Sequence, residues 1–598
     1  MQKMNGLGKK MNLENNESLL LPGVEQISKM VTLAPKLWQE IFRRQLDGSL
    51  LPQEMESFEL WQSLLVHVAH QNPEQLWRLQ VDYATDAMKI WGNIWGRFWG
   101  ETSEPVYASD PKDRRFRDET WQENFVFDWI RQTYLLTANW AEKVVENLEG
   151  VDEKTARRLA FYVRQSIDAL SPANFAITNP EVMKATLDSH GENLVKGLNN
   201  MIADMQKSSS SFQISTADQG SFRLGENIAT TEGVVVFRNH LFELLHYAPK
   251  TDKVRKTPLL IIPAWINKFY ILDLSKENSF VRWLAEAGYN VFMISWVNPD
   301  AELRDVAFED YLTEGLLKAL EQVLHISGQE KANLLGYCLG GTLLTCALAY
   351  LAVKKQSHLV ESASFLTTLI DFANPGDLGL FIDDAHVERV EAKMQSRGYM
   401  DGAEMSAVFS SLRANDMIWS YVVNNYLLGR EPFPFDILYW NADSTRMPAK
   451  AHAFYLRQMY LNNALIVPNE IKLAGVPIDI RKIDVPCYFL STREDHIAPW
   501  QSTYAALANL RTQFTFVLSG SGHVGGVVNP PARKKYGYLT NEKYYASAAD
   551  WLACAEPCSG SWWEHWEGWL GLHSGAEIPV KRIEPTLGKA PGTYVFVR

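Results

Sequence analysis

Cysteine is scarce in this chain, with five in 598 residues, too few and too scattered for a disulfide framework. Positive charge is also in deficit. The 58 Lys and Arg face 70 Asp and Glu, a formal charge of -12, and no long basic stripe offsets it, which argues against a nucleic-acid partner. No uninterrupted apolar run is long enough to cross a bilayer, and the polar start MQKMNGLGKKMNLENN lacks the apolar region of a signal peptide. The expected home is therefore a reducing cytoplasm, where a free thiol survives.

The chain is longer than one hydrophobic core normally organises, so two or more domains are expected. From about Leu19 to Met205 apolar residues recur at spacings of three and four, the helical period. Within that region Ile90, Trp91, Ile94, Trp95, Phe98 and Trp99 form an aromatic stripe, with Gly92, Gly96 and Gly100 at every fourth position. A docking surface is one reading of it. An ordinary core stripe is the favoured one. A polar, serine-rich stretch, SSSSFQISTADQG, then marks a boundary, which gives a mainly helical N-terminal domain over 1–220.

Beyond it the rhythm changes. Short β-rich runs (FELLHYA, PLLIIPA, NVFMISW, NLLGYC, FLTTLIDF, CYFLSTRED and FTFVLSG) alternate with helical patterns such as Glu309 to Ser327 and Thr342 to Val353. Nearly continuous apolar runs suit strands buried on both faces of a mainly parallel sheet, so residues 221–598 read as an α/β domain. After Phe372 about 110 residues pass before the run at Cys487, more than one crossover helix needs. That gap predicts an inserted cap at about 373–480.

The stretch Asn333-Leu-Leu-Gly-Tyr-Cys-Leu-Gly-Gly-Thr-Leu-Leu344 joins a buried strand to a helix through a cysteine flanked by glycines. It reads as a nucleophile elbow with Cys338 at the apex, where Gly336 and Gly340 leave room for the turn. A thiol nucleophile needs a base and a group that orients the base. Asp495, after CYFLSTRED, and His523, in the loop SGSGHVGG, complete the nucleophile, acid, histidine order of the α/β-hydrolase fold. Asp371 is a weaker candidate for the acid, because a loop cap explains it as well. His496, beside Asp495, is read as structural. Cys554, Cys558 and His565 make only a loose set of three, so no metal is expected. The oxyanion is assigned to the backbone amides of Leu339 and, from the loop Ala264-Trp-Ile-Asn267, of Ile266. Cysteine in place of serine leans towards acyl transfer, since a thiolate attacking a thioester keeps the acyl group activated.

The chain resembles a polyhydroxyalkanoate synthase, most like class I. Similar segments occur in order: TEGVVVFRN, PAWINKFYILDL, GYCLGGTL, DFANPGDLGLFID, NDMIWSYVVNNYLLG, FDILYWNADSTRMP, STREDHIAPW, GSGHVGGVVNPP and GSWWEHWEGWL, with DRRFRDETWQEN and SPANFAITNPEV upstream. The resemblance covers about residues 100–598, and Ala264 is a small departure from it. It implies an α/β-hydrolase fold with a cap and a nucleophile, acid and base on Cys338, Asp495 and His523. It further implies (R)-3-hydroxyacyl-coenzyme A as donor, no cofactor beyond that substrate, a polyester that grows on the enzyme, a homodimer, and association with storage granules and their proteins. A thiol esterase or depolymerase, or a non-enzymatic granule organiser, are the competing functions.

Overall fold

The strand-forming runs are mostly apolar because both faces of the sheet are covered, and the alternation sorts their apolar side chains. Leu260, Ile262, Leu334, Phe365 and Phe489 join one core, while Leu259, Ile261, Leu335, Leu366 and Leu490 join the other. The computed structural model describes residues 73–101, 103–207, 212–581, 583 and 587–598, and residues 25, 26, 28–30, 32, 33, 35 and 36. The early helical pattern and part of the serine-rich boundary lie outside these. The described chain divides into two units, one of 1–215 with 413–432, the other of 216–412 with 433–598.

The larger unit carries a ten-stranded sheet. Its strands are β1 (Gly233–Arg238), β2 (Phe242–Tyr247), β3 (Leu259–Ile262), β4 (Val291–Trp296), β5 (Ala332–Tyr337), β6 (Val360–Leu366), β7 (Cys487–Thr492), β8 (Phe514–Ser519), β9 (Tyr538–Thr540) and β10 (Glu556–Cys558). They lie in the order β1-β2-β4-β3-β5-β6-β7-β8-β9-β10. Pairing is parallel from β4 through β8, and the two strands at each edge are antiparallel. The fold class is thus α/β-hydrolase, with a helical N-terminal region.

One strand differs from expectation. FLTTLIDF predicts a strand at 365–372, yet β6 begins at Val360, pairs with β5 and β7, and ends at Leu366. Thr367 takes φ 46°, which breaks the pleat, and Leu369, Ile370 and Phe372 pack into the core without strand pairing.

The helical unit is built from α1 (Pro73–Phe98), α2 (Phe125–Glu146), α3 (Glu153–Ala169) and α4 (Glu192–Lys207). Side-chain caps start two of them: Asn124 accepts from the amides of Val126 and Phe127, and Asp152 from that of Thr155. The stripe at residues 90–99 is divided, its isoleucines forming core and its tryptophans facing outward. Ile90 and Ile94 pack with Leu136 of α2, whereas Trp91, Trp95 and Trp99 are exposed by 52, 47 and 77 %.

The segment 413–432, which sequence length assigns to the cap, is part of this helical unit. Asn193 donates to the Leu427 carbonyl at 2.8 Å, Asn200 to that of Asn425 at 3.0 Å, and the Tyr426 hydroxyl to Asp204 at 2.8 Å. Gly197 permits the approach, since a Cβ there would lie 1.8 Å from the Tyr426 carbonyl oxygen. The rest of the interval between β6 and β7 stays with the sheet-bearing unit.

Candidate active site

β5 ends at Tyr337, α5 (Leu339–Val353) starts two positions on, and Cys338 between them makes the turn with φ 52° and ψ -120°. A non-glycine residue in that region costs on the order of 1–3 kcal/mol, which the surroundings must offset. They leave little alternative. A Cβ at Gly336 would sit 2.5 Å from the Gly341 Cα, and one at Gly340 2.1 Å from the Ile262 carbonyl oxygen. The Cys338 amide donates to Leu366 at 2.9 Å while its carbonyl receives the Gly341 amide at 2.9 Å, so the apex is tied to β6 and to the first turn of α5.

Asp495 lies just beyond β7. Its Oδ1 accepts from the amides of Ile497 and Ala498 at 2.9 and 2.8 Å, and its Oδ2 receives His523 Nδ1 at 2.7 Å. With Nδ1–H so engaged, Nε2 is the ring nitrogen left for the thiol side. Both side chains are buried. Burial pushes the His523 pKa down, but the charges of Asp495 and Cys338 and hydrogen bonds to both outweigh it, and the result is well above the usual imidazole value. The ring lies against that of Tyr337, with centroids 5.8 Å apart.

Other sequence candidates are employed elsewhere. Asp371 Oδ1 accepts from the Ala373 amide at 2.9 Å and from Asn463 Nδ2 at 2.7 Å, as a loop cap does. His496 is half-buried beside Asp495, and the imidazole that Asp495 holds at 2.7 Å is His523. Cys346 is fully buried in α5, where burial pushes its thiol up to about 12. His565 Nδ1 shares a hydrogen bond of 2.9 Å with the Tyr488 hydroxyl, and no group of three or more His, Cys, Asp or Glu among the described residues is placed to hold a metal ion. Leu339 opens α5, where the first amides have no partner within the helix. Ile266 lies in the loop after β3, whose Ile262 carbonyl abuts the start of α5.

Three aromatic residues near the thiol escape a sequence reading. Phe372, Tyr455 and Tyr460 form a box with centroid separations of 5.9, 5.0 and 5.6 Å. Burial chiefly, together with the charge of Cys338, pushes both tyrosine hydroxyls up. The two tyrosines are five apart, a spacing that an α-helix places on different faces. Residues Tyr455–Leu461 form a π-helix, and its i to i+5 repeat brings both round to one side.

Comparison with known proteins gives the same architecture and a family. Residues 112–284 match the family described as Poly-beta-hydroxybutyrate polymerase (PhaC) N-terminus, and residues 257–530 match the alpha/beta hydrolase fold. The chain is 43 % identical to a poly(3-hydroxyalkanoate) polymerase of Methylorubrum extorquens, over 92 % of this chain and 93 % of that protein. It is 45 % identical to a poly(3-hydroxyalkanoate) polymerase subunit of Rhizobium meliloti, over 81 and 80 % of the two chains, and 42 % identical to one of Cupriavidus necator, over 88 % of each.

Proposed function

The chain belongs to the poly(3-hydroxyalkanoate) polymerases, enzymes that join hydroxyalkanoate units, and we propose that it takes (R)-3-hydroxyacyl groups from coenzyme A through a thioester on Cys338. The observation that carries this reading is Cys338 on a strained elbow beside a histidine whose Nδ1 is tied to Asp495 at 2.7 Å.

Cys338 Sγ attacks the acyl carbonyl as His523 takes the thiol proton. The negative charge that develops on the carbonyl oxygen is met by the amides of Leu339 and Ile266. The bond to the coenzyme A sulfur then breaks, and His523 returns the proton to that sulfur. The 3-hydroxyl of a second acyl group attacks the new thioester, an ester forms, and the hydroxyl proton passes through His523 to the freed Cys338 sulfur. Asp495 holds the imidazole and stabilises its charged form. Exchange of one thioester for another keeps the acyl group activated, which is what cysteine offers over serine. The reaction needs no cofactor beyond the acyl-CoA, and the growing polyester places the enzyme, as a homodimer, at granule surfaces in the cytoplasm with their associated proteins.

Replacing Cys338 by alanine is expected to abolish coenzyme A release while the protein stays folded. Product analysis supplies the second arm. If the purified enzyme liberates only free hydroxyacid, an esterase or depolymerase replaces this proposal; if the protein releases no coenzyme A and Cys338→Ala still organises granules in full, a granule organiser does.

A further inference from the structure

The loop after β3 is held by groups that play no part in the steps above. Its carbonyls are engaged one after another. Trp296 Nε1–H donates to Pro263 at 2.8 Å, Thr445 Oγ1–H to Trp265 at 2.6 Å, the Thr445 amide to Ile266 at 3.4 Å, and Trp440 Nε1–H to Lys268 at 2.7 Å. In a trans peptide the N–H points opposite to the C=O. A bond that draws the Trp265 carbonyl towards Thr445 therefore turns the Ile266 N–H the other way.

The far end of the loop is pinned by charge. The Lys268 ammonium is buried, 2.8 Å from Asp443 Oδ1, and donates to the Val595 carbonyl at 2.7 Å. Asp443 Oδ2 in turn accepts from the Tyr270 hydroxyl at 2.8 Å. Removing such a pair from water is costly, and once it is buried neither charge can leave the other without standing uncompensated, so the pair resists separation. Trp440, Asp443 and Thr445 all come from FDILYWNADSTRMP, a stretch prominent in the sequence that supplies no member of the Cys-His-Asp set.

We propose that Thr445 and the Lys268–Asp443 pair are positioning residues that set the orientation of the Ile266 amide, and so complete the oxyanion site opposite Leu339. This rests on the reading of Cys338 as the acyl carrier and Ile266 as a donor. Thr445 acts on the peptide that bears the donor, and Lys268 prevents the loop from swinging about its end.

Two reactions of the same thiol separate this role from a general structural one. Acyl transfer from (R)-3-hydroxybutyryl-coenzyme A builds charge on a carbonyl oxygen, whereas alkylation by iodoacetamide displaces iodide at a saturated carbon and builds none. Thr445→Val keeps the branched shape and removes the hydroxyl. It is expected to lower kcat for coenzyme A release about ten- to a hundredfold, with KM and the alkylation rate each within about twofold. Thr445→Ser should restore most of the loss, and Lys268→Met, with an unfolding midpoint recorded for each variant, should repeat the pattern. An equal fall in both reactions would show that Thr445 supports the thiol or the fold, and no fall in either would show that the loop keeps its shape without it; both results overturn the proposal. Coenzyme A release by Cys338→Ala is a separate result, which would remove the covalent reading itself.

Discussion

Two tryptophan-rich helices, α1 and the C-terminal α6 (Trp562–Leu572), look alike in sequence and differ in what they face. In α1 the inward positions belong to Ile90 and Ile94, and the tryptophans meet one another edge-on, with Trp91 5.8 Å from Trp95 and 6.2 Å from Trp129. In α6 Trp562, Trp563 and Trp566 are buried, and each indole N–H has an acceptor. Trp562 reaches the Gly526 carbonyl at 3.0 Å, Trp563 that of Val527 at 2.9 Å, and Trp566 the Ser364 hydroxyl at 2.9 Å. An indole can be buried cheaply only where its N–H is satisfied. The loop that carries His523 supplies two of these acceptors, so α6 braces that loop, while α1 offers an apolar face.

The comparison breaks most severely if Trp566 tolerates truncation. Trp566→Ala should cost about 3–5 kcal/mol in denaturant unfolding, the usual penalty for emptying so large a buried volume. Next comes Trp563→Phe, which keeps an aromatic ring and removes the 2.9 Å donor to the Val527 carbonyl, leaving that carbonyl the longer 3.2 Å bond from Trp562 Nε1–H. It should cost about 0.5–1.5 kcal/mol, the net value of one hydrogen bond, and lower kcat more than KM, because the His523 loop loses a tie. A milder effect appears with pH. His523 has a folded pKa raised above its unfolded value of 6.5, so its contribution to stability is complete below that value and fades as pH rises through the folded one. The stability lost in Asp495→Asn should accordingly be largest near pH 6 and shrink at alkaline pH, whereas any cost of Trp91→Ala should be flat across the series. Smallest in stability is the triple replacement of Trp91, Trp95 and Trp99 by alanine, within about 0.5 kcal/mol per site. Turnover of soluble acyl-CoA should stay the same and partitioning onto polyester granules should fall. Unchanged partitioning would leave the α1 face without that use.

The elbow was legible because its signals are local. Glycines at 336 and 340 around Cys338, an apolar run before it and a helix former after it require no knowledge of the rest of the chain. The aromatic box was not legible, because a single π-helical stretch changes which residues share a face. The end of β6 was misplaced for a related reason, since apolar character continues through Phe372 while the pairing stops at Leu366. Likewise 413–432 follows β6 in sequence, yet its backbone carbonyls find their donors on α4.

The sequence by itself determined the α/β alternation and the order Cys338, Asp495, His523, which rest on residue type and spacing, and the family, which rests on the resemblance of whole segments. Tertiary structure alone decided which tryptophans are buried, which donors hold the carbonyls of the loop at Ile266, and that His523 Nδ1 meets Asp495, 28 positions away in sequence. The physical reason is the same in each case: burial and hydrogen bonding depend on the partner that another segment brings, and the residue that needs the partner carries no record of where it will come from.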